Sequence, residues 1–331
     1  MLNPQPIINI ANAFHQSCTL FAAIQEGIFD AIAQLQPANA ESIAKKLNLN
    51  VRATELLCNA LAAIQLLEKK EDSFSISPLT SAFLLSSSPV SLAKAILYNR
   101  DVLPAWTNIS TLLKSGTPAE SPKLHLGENA ERTKAFVHAM HERAMSIGRS
   151  VIPLLKLHNA KSVFDVGGGP CAYARLMCDA FQNLNVTVID LPDVINVAEN
   201  LLNRYQHASR IVRLSGDYHT AAFPTQLDAI NFFGVLHQES KDSIRDLFKK
   251  AYQSLNSGGV IHVLDVMTDH THTQPTFSAM FAINMALTTY HGWVFSDAEL
   301  KEWLSDAGFK DFYIEHLPPP MPHWLAYAYK R

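Results

Sequence analysis

The sequence predicts an α/β protein: a doubly wound, mostly parallel sheet of the nucleotide-binding type, preceded by a smaller, mostly helical domain with a winged-helix arrangement. Three observations carry this. The stretch from Val163 to Ala172 joins a short apolar run to Gly167, Gly168 and Gly169 and then to a helical repeat. From Ser162 onward, apolar runs of strand length alternate with helical repeats, a pattern that calls for parallel strands joined by crossover helices. Before about residue 115, by contrast, the apolar spacing is almost wholly helical.

Taken in order, Ile7 to Phe14, Leu20 to Ala33, Glu41 to Leu47 and Ala53 to Leu66 carry apolar residues at three- and four-residue intervals, with Asn50 placed as a cap. Leu67 to Pro78 follows as a polar hairpin with Phe74 and Ile76 in alternation. Helices followed by a hairpin make a winged helix, whose recognition helix would be Ala53 to Leu66. That segment has Arg52 at its start and no other basic residue, so it offers almost no phosphate or base contacts. Dimerisation is the better use for such a scaffold. The boundary is placed near residue 115, giving domains 1–115 and 116–331. Glu131 to Leu157 is expected as one long helix. Strands are then expected at Ser162 to Val166, Val186 to Asp190, Ile211 to Leu214, Leu227 to Phe233 and Val260 to Leu264. Helices Val194 to Arg204 and Lys241 to Leu255 alternate with them, the latter stopped by Gly258-Gly259. The chain ends in a helix from Asp297 to Ala307, a strand to His316, the proline run Pro318 to Pro320 and a strand from Leu325.

Composition narrows the class. At 331 residues the chain has room for two domains and a large core. A net charge of −3 supplies no basic field, which argues against nucleic acid as a partner. With 48% hydrophobic and 17% charged residues, the interior should be well filled, with apolar surface left for an oligomer. No basic stretch precedes an apolar core at the N-terminus, and no apolar run is judged long enough to span a membrane; Phe277 to Leu287 is the longest considered. Cys18, Cys58, Cys171 and Cys178 lack zinc spacing. A cytoplasmic location is expected.

The glycine loop lets a ligand lie against bare backbone at a helix start, but the loop alone does not choose the ligand. Asp190 ends the second strand, about 20 residues past the glycines, where a carboxylate binds ribose hydroxyls of an adenosine moiety. Asp165 puts negative charge beside the loop, which suits an ammonium and a sulfonium better than a pyrophosphate. Gly216-Asp217-Tyr218 after the third strand offers a carboxylate and an aromatic for an adenine. His237 stands just beyond the fourth strand. Each carboxylate alone would read as a loop cap; three at successive strand ends converge on a cleft.

Asp165-Val-Gly-Gly-Gly169, Val188-Ile-Asp-Leu-Pro192, Gly216-Asp-Tyr218 and Val235-Leu-His237, in this order, resemble the SAM-dependent O-methyltransferases of the plant caffeate/flavonoid and bacterial tailoring type. The resemblance covers nearly the whole chain. It implies a Rossmann-like class I methyltransferase domain behind a winged-helix-like dimerisation domain, a homodimer, and S-adenosyl-L-methionine (SAM) as cofactor. It further implies that Gly167 and Gly169 line the methionine part, that Asp190 with Leu191 holds the ribose, and that Asp217 and Tyr218 frame the adenine. Phe233 stands where relatives carry an adenine-side lysine.

Methyl transfer to a hydroxyl needs in-line placement and a base. His237 matches the family's base, and Asp265 matches a carboxylate that orients it. The helix from Phe277 to Tyr290 places Met280, Phe281 and Asn284 towards the acceptor, with His291 following. Two departures stand out. Gln238-Glu239 follows the histidine where many relatives have Asp-Trp, and Val294 takes the place of a second carboxylate. His237, Gln238 and His291 therefore also admit an alternative: a divalent or ferric metal ion held for C-methylation of an α-keto acid.

Overall fold

The computed structural model describes residues 2–203, 205–318 and 321–331. Arg204, the expected end of one helix, and Pro319 and Pro320 of the expected proline run lie outside the described residues. The chain divides into two compact units, Met1–Asp101 and Val102–Arg331.

The first unit contains α1 (Gln5–Asn12), α2 (Phe14–Gln25), α3 (Ile28–Leu35), β1 (Ala38–Asn39), α4 (Ala40–Leu47), α5 (Val51–Ala63), β2 (Leu67–Lys70), β3 (Ser73–Ile76) and α6 (Pro78–Phe83). The single helix expected from Leu20 to Ala33 is broken at Gly27, whose φ of +72° is a left-handed turn that separates α2 from α3. Asn39 and Asn50 cap α4 and α5, their side chains accepting from the N–H groups of Ser42 and Ala53. The wing is a three-stranded antiparallel sheet with β3 central and Leu67 opposite Ile76. Ile28, Phe29, Ile32, Ile43, Leu61 and Phe74 form its core. α1 stays outside that core, whereas α2 enters it through Ala23, with Leu20 and Ile24 packed alongside. Ile7, Ile10 and Phe14 are exposed. α1 and α2 run almost end to end, so that Gln5–Gln25 passes by length and composition for a membrane span, correcting the expectation that no run is long enough.

α7 (Ala93–Thr107) begins in the first unit and α8 (Ile109–Ser115) lies wholly in the second. The boundary at Asp101 falls before the expected residue 115, because Trp106 at the end of α7 is bonded to Asn284 of the second unit. The second unit continues with α9 (Ala130–Val151), β4 (Ser162–Val166), α10 (Ala172–Ala180), β5 (Asn185–Asp190), α11 (Pro192–Leu202), β6 (Ile211–Ser215), β7 (Leu227–Phe233), α12 (Lys241–Ser254), β8 (Leu255–Val266), α13 (Thr276–Thr288), α14 (Asp297–Asp306), β9 (Lys310–His316) and β10 (His323–Tyr329). The seven strands run in the order β6-β5-β4-β7-β8-β10-β9. Pairs from β6 to β8 are parallel; β10 is antiparallel to both neighbours.

One expected stop is a strand feature. Gly258-Gly259 does not end α12, which closes at Ser254; it lies inside β8, where Gly258 has a φ of +82° and its N–H donates to Lys330 O at 2.7 Å. The pairing of β7 with β8 skips there, from Leu227↔Leu255 to Ala229↔Val260, as a bulge requires. Period-two alternation sorts the sheet's side chains into two cores. Phe164, Ile230 and Phe232 pack with Phe248 of α12 and Trp303 of α14. Val163, Val188 and Leu264 pack with Met177 of α10 and Ala198 of α11. The strand ends of β4, β5, β6 and β7 are thus fixed side by side, and the candidate site is built there.

Candidate active site

Beyond β4 the chain turns through the glycines. Gly167 and Gly169 have φ of +65° and +50°, and a Cβ on Gly168 would meet Asp165 Oδ2 at 2.6 Å and Val188 Cγ1 at 2.8 Å. At Gly168 the close contacts, and at Gly167 and Gly169 the left-handed backbone, disfavour a side chain, which leaves the loop as bare backbone. Asp190 braces it: Oδ2 accepts from Gly169 N and Oδ1 from Leu191 N, each at 2.8 Å. Asp165 is fully buried, and neither of its oxygens has a partner among the described residues. Burial, reinforced by the neighbouring Asp190, pushes its carboxyl up to about 7. Burial likewise pushes Asp190 up to about 6, against the two backbone N–H groups. A buried, unpaired carboxylate beside a bare loop is complementary to a cationic ligand; this is the local test that an ammonium- and sulfonium-bearing cofactor passes.

After β6, Asp217 is exposed and accepts from His219 N at 2.8 Å, a turn-capping bond. Tyr218 flanks the glycine loop: a Cβ on Gly167 would lie 3.6 Å from its ring. Burial and the adjacent Glu239 hold its phenol well above the usual range. Phe233 is the residue expected to meet the adenine. Its ring is buried edge-to-face on Tyr173 at 5.0 Å, within the core beside α10.

The candidate base, His237, sits on the turn after β7. His237 Nδ1 lies 2.6 Å from Asp265 Oδ1 at the end of β8. That carboxylate is fixed by Leu236 N (3.1 Å) and His237 N (3.4 Å) on Oδ2 and by Val266 N (2.7 Å) on Oδ1. With Nδ1 turned to a buried carboxylate, Nε2 is the nitrogen left to take a proton. Phe281 meets the His237 ring edge-on at 5.1 Å and stacks with Phe277 at 6.0 Å. Asn284 accepts the Trp106 indole N–H at 2.9 Å. Met280 is half exposed on the same helix.

The residues of the alternative ligand set have other surroundings in this structure. His291 is exposed, and the Gln238 amide donates to the Tyr218 hydroxyl at 3.1 Å. Among the described residues no three His, Cys, Asp or Glu side chains converge as a metal site. Val294, at the position of the missing carboxylate, is buried. Sequence reasoning missed two contacts, one of them at His237. Trp293 N donates to His237 O at 2.9 Å, and Glu239 accepts the Tyr218 hydroxyl at 2.6 Å. The only available signal was negative, namely the departure from Asp-Trp after the histidine.

A glycine cradle with an unpaired carboxylate, one cleft wall away from a carboxylate-oriented histidine, defines an enzyme that brings an adenosyl cofactor to an acceptor's proton. The chain belongs to the O-methyltransferase family: its O-methyltransferase domain matches residues 122–310, and the family's dimerisation domain matches residues 8–86. SAM is its methyl donor. Among curated relatives, the 3-hydroxy-5-methyl-1-naphthoate 3-O-methyltransferase of Streptomyces sahachiroi is 25% identical over 92% of this chain and 89% of its own. The N,N-dimethyltransferase OxyT of Streptomyces rimosus is 26% identical over 98% and 96%. Of solved structures, human N-acetylserotonin methyltransferase in complex with SAM superposes with a TM-score of 0.90 at 24% identity, covering 98% of this chain and 97% of that one. At that identity the likeness speaks for the fold.

Proposed function

We propose that this protein methylates a hydroxyl group of a small aromatic acceptor, with His237 as general base. The carrying observation is the His237–Asp265 pair, 2.6 Å apart at adjacent strand ends, with the Phe281 ring beside it. Asp265 holds the imidazole with Nε2 open; Nε2 takes the acceptor's hydroxyl proton as the oxygen attacks the methyl carbon. Phe281 and Phe277 offer an aromatic wall for a flat acceptor, and Asn284, paired with Trp106, its polar edge. Met280 lies near the mouth, and His291, exposed after α13, is a candidate contact at the rim. On the cofactor side, Asp165 faces the cationic methionine part above Gly167 and Gly169. Asp190 with Leu191 takes the ribose, and Asp217 with Tyr218 the adenine. Bound SAM supplies an activated methyl group, so the chain's own residues need only align and deprotonate.

The unit up to Asp101 serves dimerisation and the unit from Val102 catalysis, a division earlier than the expected 1–115 and 116–331. Two copies pair through the N-terminal domain, and the exposed Ile7, Ile10 and Phe14 are the surface such a partner would cover. The same apolar stretch then needs no membrane, and a cytoplasmic homodimer with neither nucleic acid nor membrane partners is the reading that follows. Replacing Ile10 and Phe14 by Asp should turn a dimer into a monomer in light scattering; an unchanged mass would remove this interface.

The test of the acceptor class is a screen with labelled SAM of phenols, aryl amines and α-keto acids. Turnover of phenols supports the proposal. Turnover confined to amines would move the acceptor atom to nitrogen, as the name of the Streptomyces rimosus N,N-dimethyltransferase has it. Turnover confined to α-keto acids would overturn it.

A further inference from the structure

Glu239 is a buried, multiply partnered carboxylate two residues past His237, yet the chemistry above gives it no role. It is 6% exposed. One carboxylate oxygen accepts the Tyr218 hydroxyl at 2.6 Å and lies 3.2 Å from His219 Nε2; the other accepts Ser243 Oγ at 2.6 Å. Its main-chain carbonyl accepts the Trp293 indole N–H at 2.8 Å, while the Trp293 main-chain N–H donates to His237 O at 2.9 Å. Gln238, between base and Glu239, donates to the same Tyr218 hydroxyl at 3.1 Å. Lys250 bonds the carbonyls of Tyr218, His219 and Ala221, so the loop carrying Tyr218 is itself stapled down.

Three consecutive residues, His237, Gln238 and Glu239, are therefore joined to both walls of the cleft: through Tyr218 to the wall beside Gly167, and through Trp293 to the segment after α13. A buried carboxylate is costly unless every oxygen is satisfied, and here satisfaction requires that Tyr218, Ser243 and the His237 turn hold one arrangement. We propose that Glu239 is a positioning residue that couples filling of the cleft at Tyr218 to placement of His237, so that cofactor binding sets the base for the acceptor. This rests on the SAM reading of the Tyr218 wall.

Trp293 is a built-in reporter. Adding S-adenosylhomocysteine to saturation should change the fluorescence component that Trp293→Phe removes. In Glu239→Gln and in Tyr218→Phe, calorimetry should still show the ligand bound, but that component should no longer respond. kcat at saturating SAM should fall about tenfold in each, and the double variant should be little worse than either single one, as for residues acting as a unit. Tyr218→Phe removes one hydroxyl and keeps the ring, so it serves even where Glu239→Gln fails to fold. A response that persists in both variants, or a lowered Tm with kcat at saturation unchanged, would reduce Glu239 to a structural residue and leave the methyltransferase reading intact. Absence of any ligand binding by the wild-type protein would instead take down the SAM assignment, and the coupling with it.

Discussion

The two walls of the cleft are built on different principles. On the proposed cofactor side every group sits at a strand end: Asp165 in β4, the glycines after it, Asp190 at the end of β5, and Asp217 after β6. Their positions follow from the main chain, which is fixed by parallel pairing such as Val166↔Ile189 and Asp190↔Ser215. On the acceptor side, groups come from separate elements, and side chains hold them together. Trp106 of α7 meets Asn284 of α13, Phe281 of α13 meets His237 after β7, and Trp293 reaches back to His237. The first wall is a property of the fold; the second is a property of this chain's side chains. The division lets the same cofactor apparatus serve different acceptors.

The sharpest way to break this comparison is to remove the base at the junction of the walls. His237→Ala should lower kcat by about 10²- to 10⁴-fold, the range expected for a general base, while the calorimetric affinity for SAM stays within about twofold. A comparable loss of SAM affinity would show that the walls are not separable at this residue. Next in size is Asp165→Asn, which should weaken SAM binding by about tenfold or more, because the cationic part loses its buried counter-charge. The same change should stabilise the protein free of ligand. A carboxyl raised to about 7 in the folded state binds its proton more tightly folded than unfolded. It therefore costs stability increasingly as pH rises from about 4 to about 7. The Tm gain of Asp165→Asn should accordingly be larger at pH 8 than at pH 5. In the wild-type protein, SAM affinity should decline as pH falls below about 7, where Asp165 takes up its proton. A Tm difference independent of pH would mean that Asp165 is not the strained group the geometry makes it.

The contrast also explains what could be read from the sequence. The strands Ser162 to Val166 and Leu227 to Phe233 are where apolar runs place them, since a buried parallel strand has little freedom in composition. The loop carboxylates were legible because their spacing from those strands is short and rigid. Gly27 and Gly258 were harder: their positive φ values make one a helix break and the other a bulge, and glycine as a letter does not say which. Phe233 stands at a motif position, but strand alternation turns its ring to the core beside α10. Glu239 and Trp293 were invisible for a plainer reason. Their partners, Tyr218 and His237, are brought to them only by tertiary packing, and no local periodicity records such a contact.

The smallest effects should fall on the acceptor wall, and they test whether its parts act together. Phe281→Leu keeps apolar bulk but removes the ring edge facing His237, and should raise the acceptor KM several-fold, in keeping with about 0.5–1.5 kcal/mol for an aromatic pair. Asn284→Ala should leave the SAM affinity alone and raise the acceptor KM by less than about tenfold, the cost of one lost neutral hydrogen bond. Trp106→Phe removes the N–H that Asn284 accepts at 2.9 Å while keeping an aromatic body. If Trp106 acts by orienting the amide, Trp106→Phe should reproduce part of the Asn284→Ala effect in the wild-type background and add almost nothing in the Asn284→Ala background. Additive effects would instead mean that the two residues touch the acceptor independently. The wall would then be a set of separate contacts rather than a side-chain assembly.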